Sequence, residues 1–417
     1  MRLKLKILCF ATLSLSSFSS IGQSTTKAKY LTQVGLVDSL YSETLGEMRE
    51  FYVAFPLGYS ETSQFKYPVT YILDGENLLS SLHEVQNYYS GGFTPEMILV
   101  GIANRKNRVR DLTPSAISSR KGTPIRAESG KSENFLSFIE KELIPYIEAK
   151  YPVTNYRTLI GHSFGGLFTV NTLIHKPELF DNYLAIDPSL DWDEMKLVKD
   201  LKAGFPAPKY NGKSLFISMS GQLHMQRPDI TIDNVREDNS DFTLFSRSIL
   251  LCKDYLEQVS DTNFHFYWKF YPNDLHGTIP YPSLREGMVN LFHWYQMEDT
   301  YKINSFDTST EELRRIIEHR DQKLQKHFGY AVPPYPEELL TISGYMNMDM
   351  AMMDRARMYF EFAMKYYPES ANTYDSMADY YETLKDYKQA IFYVNKAFEI
   401  KQDDYYLERL ESLKNKQ

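Results

Sequence analysis

The stretch that decides the fold is Leu159-Ile160-Gly161-His162-Ser163-Phe164-Gly165-Gly166-Leu167. An apolar run, Arg157-Thr158-Leu159-Ile160, reads as a buried strand, and Phe168 to His175 reads as a helix. Between them lies Gly-x-Ser-x-Gly. A strand that turns into a helix this abruptly forces the central serine into a strained backbone conformation. Side chains two positions before and after it are expected to clash, which assigns glycine to 161 and 165. Ser163 then projects from the strand end, and the helix N-terminus aims backbone N–H groups at the space in front of it.

Outward from this turn the same alternation continues. Glu47 to Phe55 alternates like a half-buried strand; Pro68 to Leu73 and Met97 to Ile102 read as buried strands. Asn134 to Tyr151 has helical spacing, with Phe135, Phe138, Ile139, Leu143, Ile144 and Ile147 on one side. Leu184 to Ile186, Ser214 to Ser218 and Phe264 to Tyr271 are further strands. Strands alternating with helices imply an α/β class with a mostly parallel central sheet covered on both faces.

A nucleophilic serine needs a base later in the chain. Of the nine histidines, His162 sits inside the turn, His175 on the helix behind it, and His83 precedes it. His265 falls in a strand, His293 on a C-terminal helix, and His319 and His327 in a connector. His224 follows a strand but comes early. His276, in Pro272-Asn273-Asp274-Leu275-His276-Gly277-Thr278, lies just after the last strand, where a loop at the sheet edge reaches the serine. An acid is expected after the strand Ser214 to Ser218, among Asp229, Asp233, Glu237, Asp238 and Asp241, with Asp238 preferred; a Ser–His dyad stays open. Asp187 and Asp191 are read as loop-shaping or substrate-facing. A second oxyanion donor is expected from Leu73-Asp74-Gly75-Glu76-Asn77, so that the N–H groups of Phe164 and Glu76 form the pair and Gly75 permits close approach.

These residues resemble the esterase D-type branch of the α/β hydrolases, which takes in feruloyl and acetyl-xylan esterases, siderophore esterases and mycolyltransferases. The matching pieces are Tyr71-Ile72-Leu73-Asp74-Gly75, Gly161 to Gly166, Asp187-Pro188-Ser189 and His276-Gly277, across about residues 35–297. The resemblance implies an α/β-hydrolase sandwich, with Ser163 as nucleophile, His276 as base and Gly75–Glu76 as the oxyanion loop. Arg110, in Arg110-Asp111-Leu112-Thr113-Pro114, also matches. It is expected to border the site, with Asp74, Gly75 and Asp187 facing substrate; the alternative is a loop held by an internal Arg–Asp contact. The implied chemistry is ester hydrolysis through an acyl-enzyme, with acyl transfer to a sugar or lipid alcohol, or an inactive scaffold, as alternatives. The expected substrate is a small-molecule or glycan ester.

The ends of the chain read differently. Met1 to Lys6 is a basic head, Ile7 to Leu15 a short apolar run, and small residues follow: a secretory signal peptide over 1–23, cleaved near Gly22 to Ser24, and too short to span a bilayer. Its loss removes Arg2, Lys4 and Lys6 and takes the formal charge from −8 to −11. It also removes Cys9, leaving Cys252 and no internal disulfide. The expected location is periplasmic or extracellular. The acidic balance argues against a nucleic-acid partner, and no other stretch is apolar and long enough to span a membrane. There is no His-Glu-x-x-His, no cysteine cluster and no glycine-rich phosphate loop, so neither metal nor organic cofactor is implied.

The catalytic domain is expected over 24–300 and a helical connector over 301–335, opened by the capping box Ser309-Thr310-Glu311-Glu312. Over 336–417, Ala371, Tyr374, Ala378, Tyr381, Ala390, Tyr393 and Ala397 fall at helix–turn–helix spacings. Gly344, Ala356, Phe360 and Ala363 precede them by about one 34-residue period. This resembles the tetratricopeptide repeat family, which implies either a peptide- or protein-binding array or a pair of hairpins that cap the fold.

Overall fold

The computed structural model describes residues 34–57, 59, 66–90, 92–258 and 263–417. The leader read at 1–23 lies outside the described residues. From Gly35 onward the chain forms one compact unit.

Eight strands make one sheet: β1 Leu36–Ser42, β2 Glu47–Ala54, β3 Tyr67–Leu73, β4 Ile98–Ile102, β5 Val153–His162, β6 Asn182–Ile186, β7 Ser214–Ser220 and β8 His265–Tyr271. Their spatial order is β1-β2-β4-β3-β5-β6-β7-β8. The β1–β2 and β2–β4 pairs are antiparallel and every later pair is parallel. The inner parallel strands β4, β6 and β7 are fully buried runs, and β3 is buried after Tyr67, because helices cover both faces, while the edge strand β8 is only partly covered.

The helices of this part are α1 Gly75–Tyr89, α2 Arg108–Leu112, α3 Ser132–Phe138, α4 Ile144–Lys150, α5 Phe164–His175, α6 Trp192–Gly204, α7 Leu244–Gln258 and α8 Pro280–Leu291. A π turn over Ile139–Leu143 joins α3 to α4, so the stretch read as one helix is continuous. Strand side chains alternate between two cores. Tyr71, Leu73, Leu159, Tyr183, Leu215 and Ile217 join Phe135, Phe138, Phe168, Leu197 and Ile249 from α3, α5, α6 and α7. Their neighbours Ile72, Ile160, Leu184 and Phe216 are equally buried and face the other way. There Gly287 of α8 lies so close to Leu184 that a Cβ would fall 2.6 Å from its Cδ1. α5 is buried from Gly165 through Ile174, as a helix pressed between sheet and outer layer must be.

Beyond β8 the chain is helical: α9 Thr300–Ile303, α10 Thr310–Phe328, α11 Glu337–Asp349, α12 Met353–Tyr366, α13 Ala371–Thr383, α14 Tyr387–Ile400 and α15 Asp404–Lys416. Ser309 caps α10 by accepting from the Glu312 N–H at 3.1 Å. His293, placed on a helix by the sequence reading, lies in a 3-10 turn, His293–Tyr295, just past α8. The small residues have a packing reason: a Cβ at Gly344 would fall 2.3 Å from Cε1 of Phe360, and Ala378, Ala390 and Ala397 are fully buried between helices. The connector is tied in on both sides. Leu313 and Ile317 of α10 share a core with Leu340, Met358 and Phe362. At its other end Phe328 packs edge-on against Tyr156 of β5 (5.1 Å) and Trp294 (5.0 Å). Arg320 donates to the carbonyls of Tyr295, Gln296 and Pro334.

Candidate active site

The parallel register sets the C-terminal ends of β3, β5, β6 and β7 side by side: Ile72 pairs with Ile160, His162 with Ile186, and Ile186 with Ser218. The residue that follows each of β3, β5 and β6 has a left-handed backbone: Asp74 at φ 54°, Ser163 at φ 60° and Asp187 at φ 41°. None is a glycine, and such strain persists only where the surroundings impose it. The Ser163 N–H donates to the Ile186 carbonyl (3.0 Å), the Ser189 N–H to the Ser163 carbonyl (3.1 Å), and the Asp187 N–H to the Ser218 carbonyl (3.0 Å). The ends of β5, β6 and β7 are laced together by their own main chain.

The glycines of the turn divide the work differently from the sequence expectation. A Cβ at Gly161 would sit 2.2 Å from the Gly165 carbonyl, and one at Gly166 would sit 2.9 Å from Cβ of Pro188. At Gly165 it would make only an ordinary 3.5 Å contact with Leu73. Glycine is therefore required at 161 because residue 165 is close, and at 166 because the Asp187-Pro188 loop is close.

Ser163 and His276 come together. His276 Nε2 lies 3.1 Å from Ser163 Oγ, and Nδ1 lies 2.7 Å from Oδ2 of Asp187. Asp187 is completely buried. Its Oδ1 accepts from the Ser220 N–H (2.9 Å) and its Oδ2 from the Ser220 hydroxyl (2.8 Å). Phe245 packs edge-on against the His276 ring at 5.4 Å.

The carboxylate on the histidine is thus not Asp238. Oδ1 of Asp238 accepts from the Ser240 N–H, the Ser240 hydroxyl and the Thr243 hydroxyl, and Oδ2 pairs with Arg227. The Ser240 hydroxyl, ahead of the other donors, holds its pKa down to about 2. Asp238 organises the turn into α7. Asp229 is taken by Arg227, and among the described contacts neither it nor Asp233, Glu237 or Asp241 bonds to His276. Asp187, read as loop-shaping or substrate-facing, occupies that place one strand earlier.

Of the oxyanion candidates, Phe164 opens α5, so its N–H has no helical carbonyl to meet. Glu76 is the second residue of α1. The Asp74 carbonyl accepts from Asn77 and Leu78 instead, and the Glu76 carboxylate accepts from the Asn104 N–H at 3.3 Å. Glu76, Asn77, Arg105, Arg108, Ser163 and His276 line one open cleft of about 400 Å³. Gly75 permits a close approach, but to β4: a Cβ there would meet the Gly101 main chain at 2.4 Å.

Two substrate-facing assignments change. Arg110 pairs with Asp111 (2.7 Å) and Glu47 (2.6 Å), and the bond from Arg110 pulls the Glu47 carboxyl down to about 2. It braces the loop from within. The arginines at the cleft are Arg105 and Arg108, which the sequence reading passed over, and Arg108 is the one bonded to the site's main chain. Its Nε and Nη2 each bond one oxygen of Asp74 at 2.8 Å, and Nη2 also donates to the His162 carbonyl at 3.0 Å. Asp74 lines the cleft, but its carboxylate is spent on Arg108. One guanidinium thereby joins the Asp74–Glu76 loop to the turn that carries Ser163. The signal for it is the alternation Arg108-Val109-Arg110, in which only one arginine can face the sheet edge.

His162 lies beside Ser163, with its Nε2 at 2.8 Å from the His276 carbonyl. Burial, helped by the nearby His276, lowers its pKa to about 4. A larger cavity, about 890 Å³, lies at the opposite ends of β3 and β5, between Tyr67, Val153 and the connector residues 328–336, and holds none of these groups. No group of three or more His, Cys, Asp or Glu among the described residues is placed to hold a metal ion. No described helix is long and apolar enough to cross a membrane.

The esterase family model, described as "Putative esterase", matches residues 42–220. Ferri-bacillibactin esterase BesA of Bacillus subtilis is 32% identical over 189 residues, 41% of this chain and 65% of that protein. The siderophore triacetylfusarinine C esterase of Aspergillus fumigatus is 28% identical over 38% of this chain and 57% of its own length. The chain spans less than two thirds of these relatives. Among solved structures, an IroE-like serine hydrolase from Shewanella oneidensis superimposes with a TM-score of 0.62 at 26% identity, covering 79% of this chain and 99% of its own. An uncharacterised protein from Capnocytophaga ochracea, 17% identical with a TM-score of 0.56, shares the fold over 92% of this chain, helical tail included. The strand order, the turn and these matches together support an esterase of the α/β-hydrolase superfamily, with the family model matched over residues 42–220.

Proposed function

We propose that the protein hydrolyses carboxylic esters through an acyl-serine intermediate. The observation that carries this reading is the unbroken chain Ser163 Oγ–His276 Nε2 (3.1 Å), His276 Nδ1–Asp187 Oδ2 (2.7 Å). His276 takes the hydroxyl proton as Ser163 attacks the ester carbonyl, then gives it to the leaving alcohol. Asp187 keeps the Nδ1 proton in place and balances the imidazolium. The N–H groups of Phe164 and Glu76 receive the charge that develops on the carbonyl oxygen. Water, activated by the same histidine, releases the acid.

The substrate class is a small-molecule ester of the siderophore kind. The support is the names of the curated relatives and a cation in the cleft. Arg105 lines the cleft together with Ser163 and suits an electron-rich or anionic ligand, whereas Arg108 and Arg120, at 5.4 and 5.1 Å from the Phe164 ring, are already paired with Asp74 and Asp191. The leader at 1–23 supports a secreted or periplasmic site of action. The test is Ser163→Ala. It is expected to abolish turnover of aryl acetates and of a catecholate-siderophore ester, and to abolish fluorophosphonate labelling, with the circular dichroism spectrum unchanged. Turnover that survives the substitution refutes the reading.

A further inference from the structure

The proposed base sits on an exposed loop whose own bonds, from the Leu275 N–H to Thr278 Oγ1, from Thr278 Oγ1 to Asp274 Oδ1 and from the Ile279 N–H to the Leu275 carbonyl, flank His276 without holding it. Pro272, Asn273, Leu275, Gly277 and Thr278 are all exposed, and Leu275 is 57% exposed. A histidine there needs its main chain fixed as well as its ring, because a ring held only by Asp187 could swing about that single bond. The structure supplies two side chains for this. The His276 N–H donates to Oε1 of Gln222 at 3.1 Å. The His276 carbonyl receives a bond from Nε2 of His162 at 2.8 Å. A carbonyl oxygen carries no hydrogen, so the proton of that bond is on the His162 ring, which fixes its tautomer as Nε2–H.

We infer that His162 is a positioning residue: its imidazole N–H holds the main chain of His276 so that the residue next to the nucleophile also aligns the base. The inference rests on the reading of Ser163 and His276 given above. Two consecutive residues of one turn thus grip the same residue, Ser163 by the ring and His162 by the carbonyl, and Asp187 holds the other ring nitrogen. The arrangement ties the exposed loop to the C-terminal end of β5. A glutamine at 162 places an amide N–H at about the same reach from the main chain; a leucine fills the space and donates nothing.

The test compares His162→Leu and His162→Gln in the full chain. kcat and KM are measured on an aryl acetate, and hydrogen exchange of the peptide covering 274–279 is followed by mass spectrometry. Loss of this one part-buried hydrogen bond is expected to raise loop exchange about tenfold. The displaced base is expected to lower kcat by roughly ten- to a hundredfold while KM stays within about twofold. His162→Gln is expected to recover most of both. Unchanged exchange and kcat in the leucine variant overturn the inference. So does a glutamine variant as impaired as the leucine one, or a faster-exchanging loop with kcat intact. If the wild type and Ser163→Ala are equally inactive, the functional reading has failed, and loop exchange in the two variants still decides whether His162 holds the loop. Should leucine at 162 prevent folding, His162→Asn, whose amide falls short of the carbonyl, takes its place.

Discussion

Replacing Asp187 by asparagine changes one atom and inverts the local hydrogen bonding. The carboxylate accepts three bonds at 2.7, 2.8 and 2.9 Å from a position with no solvent exposure. Asparagine has one acceptor oxygen. If that oxygen keeps the Ser220 N–H, its NH₂ group faces His276 Nδ1, which must then accept. The ring proton moves to Nε2 and points at Ser163 Oγ, where an acceptor is needed. The base is therefore present, correctly placed and in the wrong tautomer. In the serine-protease template the same exchange lowers kcat by about 10⁴, which corresponds to about 5 kcal/mol of barrier. The burial of Asp187 supports a loss of similar size here, about 10³ to 10⁴ in kcat, with KM changed by less than about threefold. The assay is aryl acetate hydrolysis with fluorophosphonate labelling rates alongside. Asp238→Asn is the matched comparison. Asparagine can keep Oδ1 as the acceptor for Ser240 and Thr243 and gives up only the Arg227 pair on Oδ2, so kcat is expected to stay within about twofold. A kcat that survives at Asp187→Asn and falls at Asp238→Asn refutes the assignment of the acid.

Three further outcomes are expected. Gly161→Ala and Gly166→Ala drive a Cβ to 2.2 and 2.9 Å from main-chain and proline atoms and should each destabilise the fold by about 1–3 kcal/mol, whereas Gly165→Ala, with a 3.5 Å contact and no positive φ, should leave the thermal midpoint nearly unchanged; equal effects at all three would contradict the packing. Arg108→Ala should lower kcat by roughly tenfold or more by freeing the Asp74–Glu76 loop, with partial recovery in Arg108→Lys, read from initial rates; an unaltered kcat would remove Arg108 from the oxyanion architecture. Stability should fall on acidification in two windows read by urea titration. His162 has a folded pKa lowered from 6.5 to about 4, so its contribution is whole above pH 6.5 and is lost as pH falls to about 4. Glu47, lowered from 4.5 to about 2, then loses its share between those values. His162→Gln should flatten the upper window only.

The site was legible in sequence where its signal is local. Glycine spacing around Ser163 and a histidine just past the last strand are patterns that a few neighbouring residues create. The two side chains so marked lie 3.1 Å apart. Asp187 and Arg108 were misread or missed because their partners are distant. Asp187 meets a histidine 89 residues later, and Arg108 meets a carbonyl 54 residues later. Asp187 and Asp238 both satisfy the chain order of serine, acid, base, and only the β6–β7 register decides between them. The glycines were placed correctly as a group, but the reason at 165 belongs to 166, because the proline loop that crowds the helix comes from β6. Buried strands announced themselves through apolar runs. β1, with Leu36 and Val37 facing solvent, has no such run and gave no signal. In the helical tail, small residues at regular spacing marked helix contacts, since no Cβ fits at Gly344 beneath Phe360 and Ala378, Ala390 and Ala397 are fully buried.

Arg320 spends its donors on three carbonyls, two just past α8 and one in the proline segment that leads into α11. Phe328 meanwhile covers Tyr156 and Trp294. The tail is consequently a gasket for the enzyme part rather than cargo hung from it. A chain stopped near residue 300 would leave those rings wet and sticky on the side of the sheet away from the cleft. Its fate would be precipitation before any change in chemistry could be seen.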